Sequence, residues 1–409
     1  MDTLQKLLAE VLLDASYGAL TEMVVAKLAD RGIMLTTRER QRLIEHLRSS
    51  AADSFQFRTW RWWDRRRIEI EVAEEDIEAV HTRFAEFLER QLPEVIQSTI
   101  EELSADILRT LDRQWVRESR RQDREMKGFE KRLHQRWGLG IDRLRMFLAL
   151  SREFGDSVNT VFRDDPGAAH SNLMDVLVRL HARGCQVTHE VICLLRAGLA
   201  DGAMARWRTL HEIAVVALFL SEHGEELAER YVIHQAVESL WAARDYQRCC
   251  GRLGYEPLSE LEMQNLEKAF EQGVERYGSA FRTQYGWAAE VLRIDRPTLS
   301  DIERSVRIDH FRAHYRMASH NVHANPKGVF FKLGLLNEVD VLLAGPSNAG
   351  LADPGHSTAL SLLQVSTALG LLKPTLDSLV LLRILTKLED EVGEAFMEAH
   401  RRLEEEEAG

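Results

Sequence analysis

Residues 307–328, RIDHFRAHYRMASHNVHANPKG, hold four of the chain's fifteen histidines within fourteen positions and interleave them with arginines. No other stretch concentrates groups that titrate near neutral pH, so acid–base or anion chemistry is expected to begin here. Read as a helix, Arg316, His320 and His323 stand at i, i+4 and i+7 and share one face, while Tyr315, Ser319 and His323 form an overlapping second line. The competing reading is a solvated polar face on a structural helix. His310-x3-His314 and His320-x2-His323 also have spacings that let two imidazoles share a metal. The arginines among them oppose a cation and no HExxH is present, so neither a metal nor another cofactor is expected. Nucleophile elbows, Cys/His signatures and Walker or GxGxxG loops are absent from the sequence as well.

A second polar line lies in GLADGAMARWRTLHEIAVVALFL, where Arg208 and Glu212 are at i, i+4 ahead of the wholly apolar run Ala214–Leu220. A charged pair entering so apolar a helix must find partners. It serves either as an ion pair locking two helices, or as a second wall of the site. In the latter reading Glu212 orients a histidine of the 307–323 helix and Arg208 or Arg206 meets an anion. His234, four residues after Arg230, is a further candidate for ligand contact. A hydrogen-bonded structural histidine is the alternative there.

These residues need long helices to position them, and the composition suits that. At 409 residues the chain can bury a large core, and eight prolines over that length favour uninterrupted helices. A mainly α fold is expected, with a C-terminal helical bundle, long central helices and a small N-terminal helical module carrying a β-hairpin. In residues 1–73, LTEMVVAKLADRGIMLTTRERQRLIEHL reads as two helices around a Gly32 turn, the second opened by Thr36 or Thr37 with Glu39 in the capping-box position. Phe55 and Phe57, then Ile68, Ile70 and Val72, alternate with polar residues and predict the hairpin, whose middle mixes Trp60, Trp62 and Trp63 with Arg58, Arg61, Arg65, Arg66 and Arg67. Such a ribbon suits nucleic acid, or packs its tryptophans on the helices with the arginines in water. Residues 74–164 read as long helices, started or kinked at Pro93 and divided at Gly138 and Gly140. RDDPGAAHS at 163–171 is the expected linker, 165–388 the bundle and 389–409 an acidic tail, whose end RRLEEEEAG is expected to be solvated and to fray. Within the bundle one helix is expected over Glu225–Gly251 and a long loop over Phe330–Asp353.

The net charge of −12 argues against a surface that binds nucleic acid throughout, but charge is segregated. Residues 38–67 carry nine Arg against four acids, and residues 113–145 eleven Lys/Arg against five acids, so RNA remains a possible partner. The opening MDTLQKLLAEVLLDASYG lacks a basic n-region, Leu360–Leu385 is broken by Lys373-Pro374 and Asp377, and Cys185, Cys193, Cys249 and Cys250 show no CxxC pair. A cytoplasmic chain with reduced thiols and no membrane span is the expectation.

Gly198–Ala203 running into Arg208-Thr209-Leu210-His211-Glu212, together with Tyr315–Ala324, resembles the hallmark segments of the bacterial domain of unknown function 5677 family. The resemblance covers roughly residues 172–387 and implies an all-α domain without an established activity. A looser one is to HEPN ribonucleases, helical proteins with an Arg, four to six intervening residues and a His; Arg316-x6-His323 has that spacing, although Met317 stands where a polar residue is usual. It implies metal-independent RNA cleavage by a homodimer, as a toxin or phage-defence effector. His323 or His320 would take the 2′-hydroxyl proton, Arg316 would stabilise the phosphorane, and Glu212 would act from a partner helix. The reading from another class is a non-enzymatic scaffold or sensor that binds an anion or a protein through the Arg/His patch.

Overall fold

Gly32, at φ +76°, turns the chain after helix α1 (Asp2–Asp30) and into α2 (Thr37–Ser49). Thr36 and Glu39 form the expected box: Glu39 N donates to Thr36 Oγ1 at 3.4 Å and Thr36 N to Glu39 Oε2 at 2.8 Å. Strands β1 (Ser54–Arg58) and β2 (Arg67–Glu71) pair antiparallel with Phe55 opposite Ile70 and Phe57 opposite Ile68. Ile70 joins Met23, Val24, Leu28, Leu43 and Leu47 in a small core, so the N-terminal module packs its hairpin on its helices. This computed structural model describes residues 2–49, 54–58, 67–164, 171–323, 325–336 and 342–408. Trp60, Trp62, Trp63, Arg61, Arg65 and Arg66, with the side chains of Arg58 and Arg67, lie outside the described part, and so does the expected Trp/Arg surface.

Helix α3 (Glu74–Glu86) and one π turn (Phe87–Gln91) lead without a break in helical dihedrals into α4 (Leu92–Asp164); the π turn falls directly before Pro93, whose missing N–H interrupts the i→i−4 ladder there. The chain divides into two compact units, Met1–Gln122 and Asp123–Gly409, so the division falls inside the 74–164 segment. The cause is visible in α4: Leu133, Trp137, Ile141, Leu144, Phe147 and Phe154 are core residues of the second unit. Gly138 and Gly140, expected from sequence to divide this helix, leave it unbroken; they bring neighbours close. A Cβ on Gly140 would sit 2.9 Å from the Phe396 ring, and one on Gly138 2.8 Å from the His134 ring.

The second unit continues with α5 (Asn172–Arg196), α6 (Ala200–His223), α7 (Glu225–Ile233), α8 (Gln235–Leu253) and α9 (Glu260–Tyr277). The short α10 (Ala289–Leu292) and α11 (Leu299–Ser305) precede α12 (Arg312–Val322) and α13 (Pro326–Phe330). Two long helices, α14 (Ala352–Gly370) and α15 (Leu376–Ala408), close the chain. One core joins α5, α6, α14, α15 and the later part of α4; a second joins the end of α6 to α7, α11 and the approach to α12. The helix expected over 225–251 breaks at His234. The fraying expected of RRLEEEEAG is corrected too: α15 stays helical to Ala408, anchored by Val392, Phe396, Ala399 and Leu403, which recur at spacings of four, three and four and are buried. The long loop is fastened near its end, where Ser347 N donates to Gly198 O (2.9 Å) and Trp137 Nε1 to Asn348 O (3.2 Å). Among the described residues no helix is long and apolar enough to cross a membrane.

Candidate functional site

Helix α12 is only eleven residues long, and Pro326 explains where it stops. A helix running through 326 would need the N–H that proline lacks, bonded to the Val322 carbonyl, and the ring would strike that carbonyl. The backbone leaves the helix at His323 (φ −107°, ψ 139°), and Asn325, extended as a residue before proline must be, caps α13. His323 is therefore not on the helical face of Arg316 and His320, contrary to the i, i+7 expectation. Two separate polar places result along the contact of α6 with α12.

The first is a closed network. Tyr315 donates its hydroxyl to Glu212 Oε1 at 2.6 Å, and Arg208 Nη2 meets the same oxygen at 3.0 Å. The guanidinium carbons of Arg208 and Arg312 lie 4.8 and 5.0 Å from the centre of the Tyr315 ring. Arg312 Nη1 also donates to Glu303 Oε2 (2.9 Å), and His211 Nε2 stands 3.0 Å from Glu303 Oε1. The side chains of Glu303 and His211 are both 0% exposed, so this carboxylate needs its partners. Burial, and then the Glu212 carboxylate, push the Tyr315 hydroxyl well above the ordinary phenol range, which keeps it a donor. Tyr285 is pushed up to about 12 by burial first and by Glu212 second. Among the described residues the buried Nε atoms of Arg208 and Arg312 and Nδ1 of His211 find no hydrogen-bond partner. Arg208 and Glu212 pair within α6, and Glu212 reaches α12 through the Tyr315 hydroxyl, not through a histidine.

The second place is a cleft of about 490 Å³ lined by His320, His323, Asn321, Lys332 and, from the first turn of α6, Asp201. Seven residues, about 10 Å of helix rise, separate Asp201 from Arg208. Asn325 organises one wall. Its oxygen accepts from Gly328 N (2.8 Å), so its amide nitrogen is the atom 2.8 Å from His320 Nδ1. Nδ1 then accepts, and a neutral His320 carries its proton on Nε2 as a donor. A Cβ on Gly328 would lie 1.9 Å from His320 O, so only glycine lets α13 fold this closely against the end of α12. Lys332 Nζ donates to Gly328 O (2.8 Å), and Asp201 Oδ1 accepts from Leu333 N (3.1 Å).

The structure thus brings Arg208, Glu212 and Tyr315 together, and His320 with His323, but not the two groups with each other. Arg316 is exposed and makes no hydrogen bond or ion pair with the described residues. Ser319 turns its hydroxyl back to Tyr315 O (2.8 Å). His234 is 2% exposed, with Nε2 on Thr283 O (2.9 Å) and its ring edge-on to Phe281; it ties the α7–α8 junction to the following segment and is withdrawn from ligand contact, which corrects that assignment. Burial, the largest influence, lowers its pKa. His310 lies beside Phe311, ring centres 4.1 Å apart and tilted by 45°, and among the described residues no three His, Cys, Asp or Glu gather as metal donors. Sequence reasoning passed over Glu303, Arg312, Lys332 and Asn325. Only Asn325 had a readable signal, the cap residue before a proline at a helix start.

Residues 174–338 match a family of unknown function, DUF5677. The match runs from the first turn of α5 through α13, so it contains both polar places and leaves out α4, α14 and α15, which complete the bundle core. No curated protein and no solved structure matches the chain.

Proposed function

We propose that the His320/His323 cleft binds the phosphodiester of RNA and cleaves it without a metal, as the looser sequence resemblance implies. The observation that carries this is the convergence of two imidazoles and a lysine on one cleft, with one imidazole held as an N–H donor. His323 takes the 2′-hydroxyl proton; the 2′-oxygen bonds to phosphorus and the bond to the 5′-oxygen breaks. The leaving oxygen then recovers a proton from the His323 imidazolium, giving a 2′,3′-cyclic phosphate and a 5′-hydroxyl end. His320 Nε2–H and Lys332 meet the charge that develops on the phosphoryl oxygens, and Arg316 takes a neighbouring phosphate. In this proposal Glu212 and Arg208 act at a distance by holding Tyr315, and hence α12, in place. A toxin or phage-defence role belongs to the same proposal.

A second reading, a non-catalytic sensor of phosphate-bearing ligands, is favoured by the bond from Asn325, which occupies the second nitrogen of His320 and suits a donor better than a proton shuttle. End-labelled RNA separates the two. Cleavage by wild type, its loss in His323→Ala with RNA binding kept, and weakened binding in Lys332→Ala support catalysis. Binding without cleavage leaves the sensor, and neither binding nor cleavage by folded protein removes both.

A further inference from the structure

In the first unit, the stretch of α4 from Ile96 to Trp115 presents a row of large apolar side chains to solvent. Ile96, Ile100, Leu103, Leu108, Leu111 and Trp115 are between 37% and 60% exposed and fall within about two-fifths of the helix circumference. A row about 30 Å long is larger than the scattered apolar residues of an ordinary surface and marks a contact. Charge along the same helix is polarised. Residues 92–106 carry four acids, Glu94, Glu101, Glu102 and Asp106, and no Lys or Arg; residues 107–121 carry five Arg against Asp112 and Glu118.

We propose that this face is the interface with a second copy of the chain, paired antiparallel about a point between residues 105 and 106. At that register Ile96 lies level with Trp115 of the copy, Ile100 with Leu111 and Leu103 with Leu108, so the apolar row is its own complement. The acidic half of each helix lies level with the basic half of the other, whereas a parallel pair sets like level with like. The side chains involved bury on the order of 1,200 Å² between the two copies, the lower end of stable interfaces. An anionic bilayer is a poorer occupant, because the half of the row over residues 96–106 is accompanied by acids alone. This pairing stands independently of the proposed reaction.

Sedimentation of the full chain at micromolar concentration tests it. The wild type is expected to run as a dimer and Ile100→Glu/Leu108→Glu as a folded monomer, since both positions are solvent-exposed in one copy. A spin label at Ser119→Cys, with the accessible Cys193 and Cys249 changed to Ser, reads the orientation. Antiparallel helices hold two such labels about 40 Å apart along the axis, parallel ones about 20 Å or less. A monomeric wild type means that something else covers the row and overturns the proposal. A dimer that survives the double substitution, or a short label distance, overturns it equally.

Discussion

At Asn325 one side chain serves two neighbours: its oxygen caps α13 and its nitrogen sets the tautomer of His320. Two substitutions separate the roles. Asn325→Ala is expected to lose about 1 kcal/mol of stability with the cap. Asn325→Asp keeps an oxygen for Gly328 N but offers His320 Nδ1 an acceptor, so the proton moves to Nδ1 and Nε2 becomes a lone pair facing the cleft. Denaturant unfolding measures the first effect and imidazole nitrogen NMR the second; an unchanged Nε2–H signature in Asn325→Asp contradicts the tautomer assignment. The neighbouring network offers a test of burial. Arg312→Met leaves the 0% exposed Glu303 with His211 alone and is expected to destabilise by about 3–5 kcal/mol, as for a broken buried pair. Arg208→Met uncovers Glu212, which is already 34% exposed, and is expected to lose about 1 kcal/mol or less. Equal losses in urea unfolding would mean that burial of the carboxylate is not what ranks them.

Between elements, two histidines respond to pH in opposite directions. His181 of α5 is 2% exposed, with Nε2 3.1 Å from Ser366 Oγ of α14 and its ring edge-on to Phe154 of α4; burial brings its pKa down to about 4. The unfolded chain takes up that proton near pH 6.5 and the folded one only near 4, so stability is intact above 6.5 and falls as pH drops through this window. The loss is on the order of 3 kcal/mol. His356 of α14 has the reverse sign: its bond to Glu389 of α15, 3.0 Å long, is the main influence raising its pKa. Its contribution is complete below the ordinary imidazole pKa and is lost as pH rises through the raised one. Unfolding free energies of wild type, His181→Asn and His356→Gln across pH 4–8 should show a shallower acid slope in the first variant and a weakened advantage below neutrality in the second. Parallel curves for all three contradict both assignments.

For the molecule as a whole, the core of the second unit is closed by segments far apart in sequence, Leu133–Phe154 of α4 and Leu382–Leu403 of α15. Ending the chain after Leu388 removes Val392, Phe396, Ala399 and Leu403 and leaves Gly140 facing a vacancy where the Phe396 ring packs. Loss of the cooperative thermal transition of that unit is expected, since several large core side chains go at once; a transition unchanged by the truncation would restore the tail to the status of a solvated end.

What the residues determine by themselves here is local. The box at Thr36 and Glu39, the β-hairpin, the helical state of 74–164 and the apolar period of the bundle all follow from preferences that act within about four residues of chain, or from period-two alternation, and the structure has each of them. Local signals misled where one residue type serves two ends. Glycine ends helices or admits a neighbour, and at 138 and 140 it admits one; a run of glutamates frays or prolongs a helix already anchored by a buried face, and in α15 it prolongs one. Packing alone decided which polar groups meet. Glu303 and His211 are 92 positions apart and Tyr315 and Glu212 103, and no spacing rule spans such distances. The histidine segment was legible as a concentration of titratable groups, but its division into an ion-pair lock and a separate cleft was not. Tertiary structure made that division, because α6 runs past both ends of a short α12 that Pro326 brings to a stop.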